Sequence, residues 1–229
     1  MTIQKSKPVI IFDVNETLLD MSPLKKSINT LLGNEQGFRI WFGMLLLYST
    51  VSNSINEYHD FGTIAAATLA MAATSMNKKV NEDEIKEALS TILTLQAYPD
   101  VEKGLKFLKD HGFRLVTLTN SPPQALKQQL LNSNLTDYFE QALSIDSLKK
   151  YKPEAETYLW AAKKLAATPQ EMLMIAAHGW DIAGASHAGL STGFIAREGQ
   201  SLYTLSNKPN FQANDILAMA QLLVAFYSE

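Results

Sequence analysis

Short apolar runs alternate with longer amphipathic segments along most of the chain. Near-continuous apolar runs stand at 8–13 (PVIIFD), 113–119 (FRLVTLT), 142–145 (ALSI), 172–176 (MLMIA) and 191–196 (STGFIA). Runs this short, with few polar interruptions, read as strands buried on both faces. Helical spacing marks 101–110, 122–133, 153–166, 181–188 and 215–227. Strands alternating with helices predict an α/β fold with a parallel sheet covered on both sides.

The interval 21–98 departs from that alternation. It holds four helical patterns and no clear strand: SPLKKSINTLLG, FRIWFGMLLLYSTV, FGTIAAATLAMAAT and VNEDEIKEALSTIL. Ser22 is placed to N-cap the first of them, with Pro23 at its first helical position. The chain therefore leaves the sheet after the first strand, builds a helical module and returns near AYPDVEKG. The expected organisation is an α/β core of residues 1–20 and 99–229 with a helical cap of residues 21–98. No internal repeat or low-complexity linker interrupts it.

Composition narrows the function classes. The chain has 229 residues, 46% of them hydrophobic and 19% charged, enough to bury a sizeable core. A net charge of −3 gives no sign of a nucleic-acid partner, which would need clustered Lys and Arg. There is no cysteine, so disulfides and thiolate metal sites are excluded. The opening MTIQKSKPVIIFD reaches an acid too soon for a signal peptide. The uncharged runs at 40–56 and 61–77 are shorter than the roughly 20 residues a membrane span needs. A cytoplasmic protein with no membrane partner is expected. The uncharged cap helices suggest a homodimer face, and internal packing explains them equally well.

Parallel sheets bind ligands beyond the carboxyl ends of their strands. Asp13, Thr119–Asn120 and the AAHGWD segment from Ala176 to Asp181 all fall at such ends. Singly, each has an ordinary reading as a turn, loop or capping residue. Together they outline one site. Lys152 adds to it, because it precedes Pro153 in the N-cap region of a helix, where a cation faces the positive end of the dipole. A rule broken locally often marks function. Beside Asp13, that cation would keep the carboxylate ionised.

Asp13 with Thr17, then Thr119–Asn120, Lys152–Pro153 and the late Trp180–Asp181, resemble the four motifs of the haloacid dehalogenase superfamily. Within it, Arg39, the YKP of 151–153, Tyr158 and Trp180–Asp181 are similar to the L-2-haloacid dehalogenase (type II) family. The resemblance implies a Rossmann-like core with an inserted helical cap. It implies a two-step reaction in which Asp13 displaces halide from a short (S)-2-haloacid and water then hydrolyses the ester. Arg39 and Asn120 would receive the halide. Thr119 and backbone amides after Asp13 would hold the substrate carboxylate. Lys152 would orient Asp13, with Tyr158 supporting it, and Trp180 with Trp41 and Phe42 would form an apolar wall.

Three departures sharpen the expectation. Phosphatases of the superfamily carry a second Asp two residues after the nucleophile to protonate a leaving alcohol. Here that position is Asn15, and a halide leaves without a proton. Asp181 alone is a thin set of hard ligands for Mg²⁺, so neither metal nor cofactor is expected. Glu16 stands where the family commonly has a small residue, and Ala176 and His178 where it commonly has Ser and Asn. As a pair, Glu16 and His178 suit a general base, since histidine ordinarily titrates near pH 6.5 and a carboxylate would orient it. The alternatives are that Asp181 activates the water, that the chain is a small-molecule phosphatase, or that it binds without catalysis.

Overall fold

The computed structural model describes residues 6–228. Residues 1–5 and 229, and with them the start of the segment read against a signal peptide, lie outside the described residues. A six-stranded sheet runs in the order β3-β2-β1-β4-β5-β6, with every neighbouring pair parallel. Its strands are β1 (Val9–Phe12), β2 (Arg114–Thr119), β3 (Gln141–Ser144), β4 (Met172–Ala176), β5 (Ser191–Ile195) and β6 (Phe211–Ala213). β1 and β4 are buried at every position, the pattern of strands covered on both faces. β6 is a correction to the sequence reading. Its three residues are half-buried or exposed at the sheet edge, too short and too wet to show a strand pattern.

Four helices stand between β1 and the rest of the sheet: α1 (Ser22–Leu32), α2 (Gly37–Ile55), α3 (Phe61–Ser75) and α4 (Glu82–Ser90). A short 3-10 turn follows at Thr91–Thr94. Met21, not Ser22, is the N-cap of α1, and Ser22 opens the helix with its N–H and hydroxyl both donating to Asp20 Oδ1. α4 carries a full capping box between Asn81 and Glu84. The chain leaves and re-enters the sheet region side by side, since Asp20 N–H donates to Gln96 O and Tyr98 N–H to Leu18 O.

The later helices are α5 (Val101–Asp110), α6 (Pro123–Asn132), α7 (Ala155–Lys164), α8 (Gly179–His187) and α9 (Ile216–Ser228). Two starts differ from expectation. α7 begins at Ala155 with Glu154 as N-cap, so Lys152 lies outside that helix, before a cis bond to Pro153. α8 begins at Gly179, which places Asp181 in its first turn and not at its cap. A side chain at Gly184 would bring a Cβ to 2.6 Å from Pro153 Cβ and 2.8 Å from the Tyr158 hydroxyl. Only glycine lets α8 approach the start of α7 so closely, and that approach brings Tyr158 to Asp181.

Candidate active site

The strand order reverses direction at β1 and β4, so the crevice beyond their carboxyl ends is where such a sheet binds ligands. Asp13 follows β1 directly, and its N–H donates to Ile175 O of β4 at 3.0 Å, which fixes the carboxylate over the crevice. Asp13 is 5% exposed, and donors reach both of its oxygens. Lys152 Nζ donates to Oδ1 at 2.9 Å. Thr17 donates to Oδ2 at 2.9 Å, and its hydroxyl in turn accepts from Ala177 N–H. His178 Nδ1 stands 3.0 Å from the same Oδ2.

Lys152 spends all three ammonium hydrogens inside the protein: on Asp13, on Leu118 O at 2.9 Å and on Asp181 Oδ2 at 2.7 Å. The cation thus has the compensation that the sequence did not reveal, two carboxylates and a carbonyl at a strand end. Burial opposes its charge, but Asp13 and Asp181 outweigh burial and hold its pKa above the usual value. Tyr158 donates to Asp181 Oδ1 at 2.5 Å, so its support reaches Lys152 through Asp181 and not directly.

The two carboxylates on Lys152 titrate in opposite directions. For Asp13, burial raises the pKa, and Lys152 with His178 overcomes it, leaving Asp13 well below the usual carboxylate range. For Asp181, burial and the Asp13 charge prevail over Lys152 and Tyr158 and push the pKa up. Asp13 is therefore held ionised at neutral pH.

His178 bridges Asp13 and Glu16, whose Oε2 lies 2.8 Å from Nε2. Glu16 reaches it from a backbone at φ 60°, a left-handed conformation that costs a non-glycine residue about 1–2 kcal/mol. Burial would lower the histidine pKa, but hydrogen bonds and charge from Asp13 and Glu16 raise it to about 10. This corrects the expectation of a histidine titrating near 6.5. Beside an ionised Asp13 it is an imidazolium.

A cavity of about 20 Å³ opens on this cluster, lined by Asp13, Asn15, Thr119, Asn120, Lys152, His178 and Trp180 with Phe42, Leu46 and Phe61 from the inserted helices. That volume holds a water molecule, which needs about 10–15 Å³, and is too small for a haloacid. Trp180 stacks on His178 at 5.1 Å between centroids, and Phe42 lies 6.0 Å from the same ring. Asn120 Oδ1 accepts from Lys152 N–H at 3.0 Å, and Thr119 Oγ1 from Ser121 N–H at 3.2 Å.

Two expected residues are elsewhere. Arg39 lies exposed on α2 and does not line the cavity. Trp41 points into the interior, where its indole N–H donates to Ala65 O at 2.9 Å. Of the two cap aromatics, only Phe42 walls the site. The sequence reading missed Phe61, Leu46, Ser121 and Gln129. Gln129 Nε2 donates to Asn15 Oδ1 at 2.9 Å, and Asn15 Nδ2 donates to Ser121 Oγ at 3.3 Å, so the Asn15 amide is held between two partners. Gln129 left a signal: a polar residue between Leu126 and Leu130 on the buried face of α6. Among the described residues, no group of three or more His, Asp or Glu side chains is arranged to hold a metal ion.

Fold and site together define an α/β enzyme organised around one buried, ionised carboxylate. The chain belongs to the haloacid dehalogenase-like hydrolases, whose family model matches residues 7–189. It is 31% identical over 189 residues to (S)-2-haloacid dehalogenase 1 of Pseudomonas sp. (strain CBS-3), covering 82% of this chain and 83% of that protein. The crystal structure of a dehalogenase with an intermediate complex is 27% identical and superimposes with a TM-score of 0.88, over 96% of this chain and 98% of the other. The L-2-haloacid dehalogenase of Xanthobacter autotrophicus, 22% identical, shares the fold with a TM-score of 0.87 over 95% and 98% of the two chains.

Proposed function

We propose that the protein is an (S)-2-haloacid dehalogenase that converts short 2-haloacids to 2-hydroxy acids through an ester on Asp13. The observation that carries the reading is the site's asymmetry. One ionised carboxylate faces the cavity, and an amide clamped by Gln129 and Ser121 occupies the place of a proton-donating acid. An amide cannot protonate an alkoxide, and a departing halide needs no proton.

In the first step an Asp13 oxygen attacks C2, the C2–halogen bond breaks, and halide leaves with the bonding pair while C2 inverts. Lys152 holds the carboxylate in place, and Asn120, in the cavity wall, receives the halide. Thr119 and the loop after Asp13 hold the substrate carboxylate. The ester then removes the anion that faces His178 Nδ1. Without that charge the imidazolium gives up its Nδ1 proton to solvent, while Glu16 keeps the Nε2–H. Neutral His178 takes a proton from water as the oxygen attacks the ester carbonyl. The ester C–O bond breaks, the hydroxy acid leaves with a proton, and Asp13 and the imidazolium are restored. One proton is released per turnover. Asp181, which does not line the cavity, anchors Lys152 in this scheme.

Residues 21–98 act as a cap over a core of 1–20 and 99–229, and opening of the cap admits substrate to a site that is too small when closed. A cytoplasmic setting and a homodimer belong to the same proposal. The second is supported by Ile40, Leu47, Tyr48 and Ile55 exposed along α2, and size-exclusion with light scattering tests it. No helix among the described residues is long and apolar enough to cross a membrane. Halide release from (S)-2-bromopropionate and bromoacetate in excess EDTA tests the function. Activity that disappears with EDTA, or phosphate released from phosphate monoesters with Mg²⁺, would favour the phosphatase reading.

A further inference from the structure

A second, much larger hollow borders the catalytic cavity. It measures about 750 Å³ and runs between the inserted helices and the start of α6. Ala66 and Ala70, four residues apart on one face of α3, form one wall, and Ile85 and Leu89 of α4 form another. Pro122 and Ala125 make its floor. Small side chains face it where large ones would fill it. Glu82 and Lys86 are exposed at its edge, and the rest of the lining is almost wholly apolar.

Two residues join this hollow to the reaction. Phe61, the first residue of α3, lines both it and the catalytic cavity. Ser121 lines the hollow and accepts the hydrogen bond from Asn15, which lines the cavity. The Phe61 ring and the Asn15–Ser121 contact therefore lie between the nucleophile's chamber and a space within the roughly 300–1,000 Å³ range of small-molecule sites.

We infer that this hollow is a binding site for the alkyl chain of 2-haloalkanoic acids longer than propionate, with Phe61 as the partition that sets chain-length preference. The inference rests on the dehalogenase reading and extends its substrate class. With C2 at Asp13, a substituent on C3 turns away from the charged cluster, past the Phe61 ring and into the alanine-lined space. The core cluster fixes the carboxylate and the halogen, and the hollow takes only methylenes. Each buried methylene is worth about 0.8 kcal/mol, which converts to about a fourfold gain in kcat/KM while the chain still finds room.

The test is halide release from (S)-2-bromoalkanoates of three to ten carbons. The expected profile rises about fourfold per carbon beyond 2-bromobutanoate and then levels off. Ala66→Phe, or Ala70→Leu if the first variant folds poorly, should flatten the rise and leave 2-bromopropionate within twofold of the parent. Phe61→Ala should steepen it. A profile that falls with length while 2-bromopropionate turns over normally overturns the inference and spares the dehalogenase reading. So does a filling variant that slows all lengths equally, or one that leaves the profile intact and splits an oligomer, which would make the hollow an interface. No halide from any member, bromoacetate included, overturns the dehalogenase reading and this inference with it.

Discussion

The core and the inserted helices face one another across the site with opposite chemistry. From the sheet side come Asp13, Lys152, His178, Thr119 and Asn120, every one buried. From the helical side come Phe42, Leu46 and Phe61, with no charge and no hydrogen-bonding side chain. The division follows from what each part can hold still. Strand ends in a parallel sheet are locked by their neighbours, so donors can be held within about 0.5 Å of the geometry that a charged oxygen requires. Helices that open over the site, as proposed above, would have to desolvate any charge anew at each closure, at a cost of several kcal/mol per ion. They contribute shape and dryness instead.

The largest test of this division is Asp13→Asn. Its halide release should fall below detection, whereas no single change on the helical side should do so. Single turnover in ¹⁸O-water with enzyme in excess should place the label in Asp13 and not in the hydroxy acid. Label found directly in the product would mean that water attacks carbon.

His178→Ala comes next. Halide departure needs no base, so about one halide per site should appear before turnover stalls, with mass spectrometry finding the carboxyalkyl adduct on the Asp13 peptide. Steady-state turnover should drop by about 10²–10⁴, the usual contribution of a general base. Glu16→Gln should slow the same step less, because imidazole remains and only its charged partner is lost. If Asp181→Asn stalls at the ester while His178→Ala turns over, the water is activated by Asp181 and the assignments exchange.

Sequence reading recovered five of the six strands along the chain and the residues at their carboxyl ends because both are written locally. Apolar runs mark the strands, and the residues that follow them are necessarily neighbours in the crevice. Asn15 and the Glu16–His178 pair were legible as departures from a pattern. Burial and pairing were not. The Lys152 that the sequence sets against a helix dipole donates to Asp13 and to Asp181, 139 and 29 residues away. The pKa of His178 was misjudged because two carboxylates flank it, and only the fold brings both. On α2, Arg39, Trp41 and Phe42 differ by a fraction of a helical turn, and sequence alone does not say which faces the site. β6 was missed because three edge residues carry no periodicity.

The ion cluster also predicts how stability varies with pH. His178 has its folded pKa raised from 6.5 to about 10, so the folded state binds its proton more tightly than the unfolded chain. That contribution is fully present below pH 6.5 and is lost as pH rises through about 10, at up to about 1.4 kcal/mol per pH unit. Lys152, held above its usual value, keeps its charge through this window. Asp13, held low, adds stability above its unfolded value near 3.8, which is lost in acid. Urea midpoints measured between pH 6.5 and 10 should fall steadily for the parent and change little for His178→Asn. Phe42→Ala should keep the parent's slope, since the helices bring only Phe42, Leu46 and Phe61 to the cavity. An equal slope in His178→Asn would remove the imidazolium from the resting site.

The smallest expected effect is at Arg39, and it bears most directly on the division. Family resemblance places a halide-binding arginine here, but the side chain is exposed on α2, three residues before the Phe42 that lines the cavity. Rotating α2 to swap them would withdraw Phe42 from His178 and pull the Trp41 indole from Ala65 O. Neither contact could be replaced by solvent without loss. Arg39→Ala should therefore leave single-turnover halide release within twofold of the parent, and alanine, the better helix former, should not weaken α2. Ionic strength should have the same small effect on both proteins, because the change removes a charge that already faces water. A tenfold fall would correspond to about 1.4 kcal/mol of lost transition-state stabilisation, far beyond what a solvated surface charge supplies. That result would mean that the helical side turns a cation into the site when substrate binds, and the division between charged core and apolar lid would hold only for the empty enzyme.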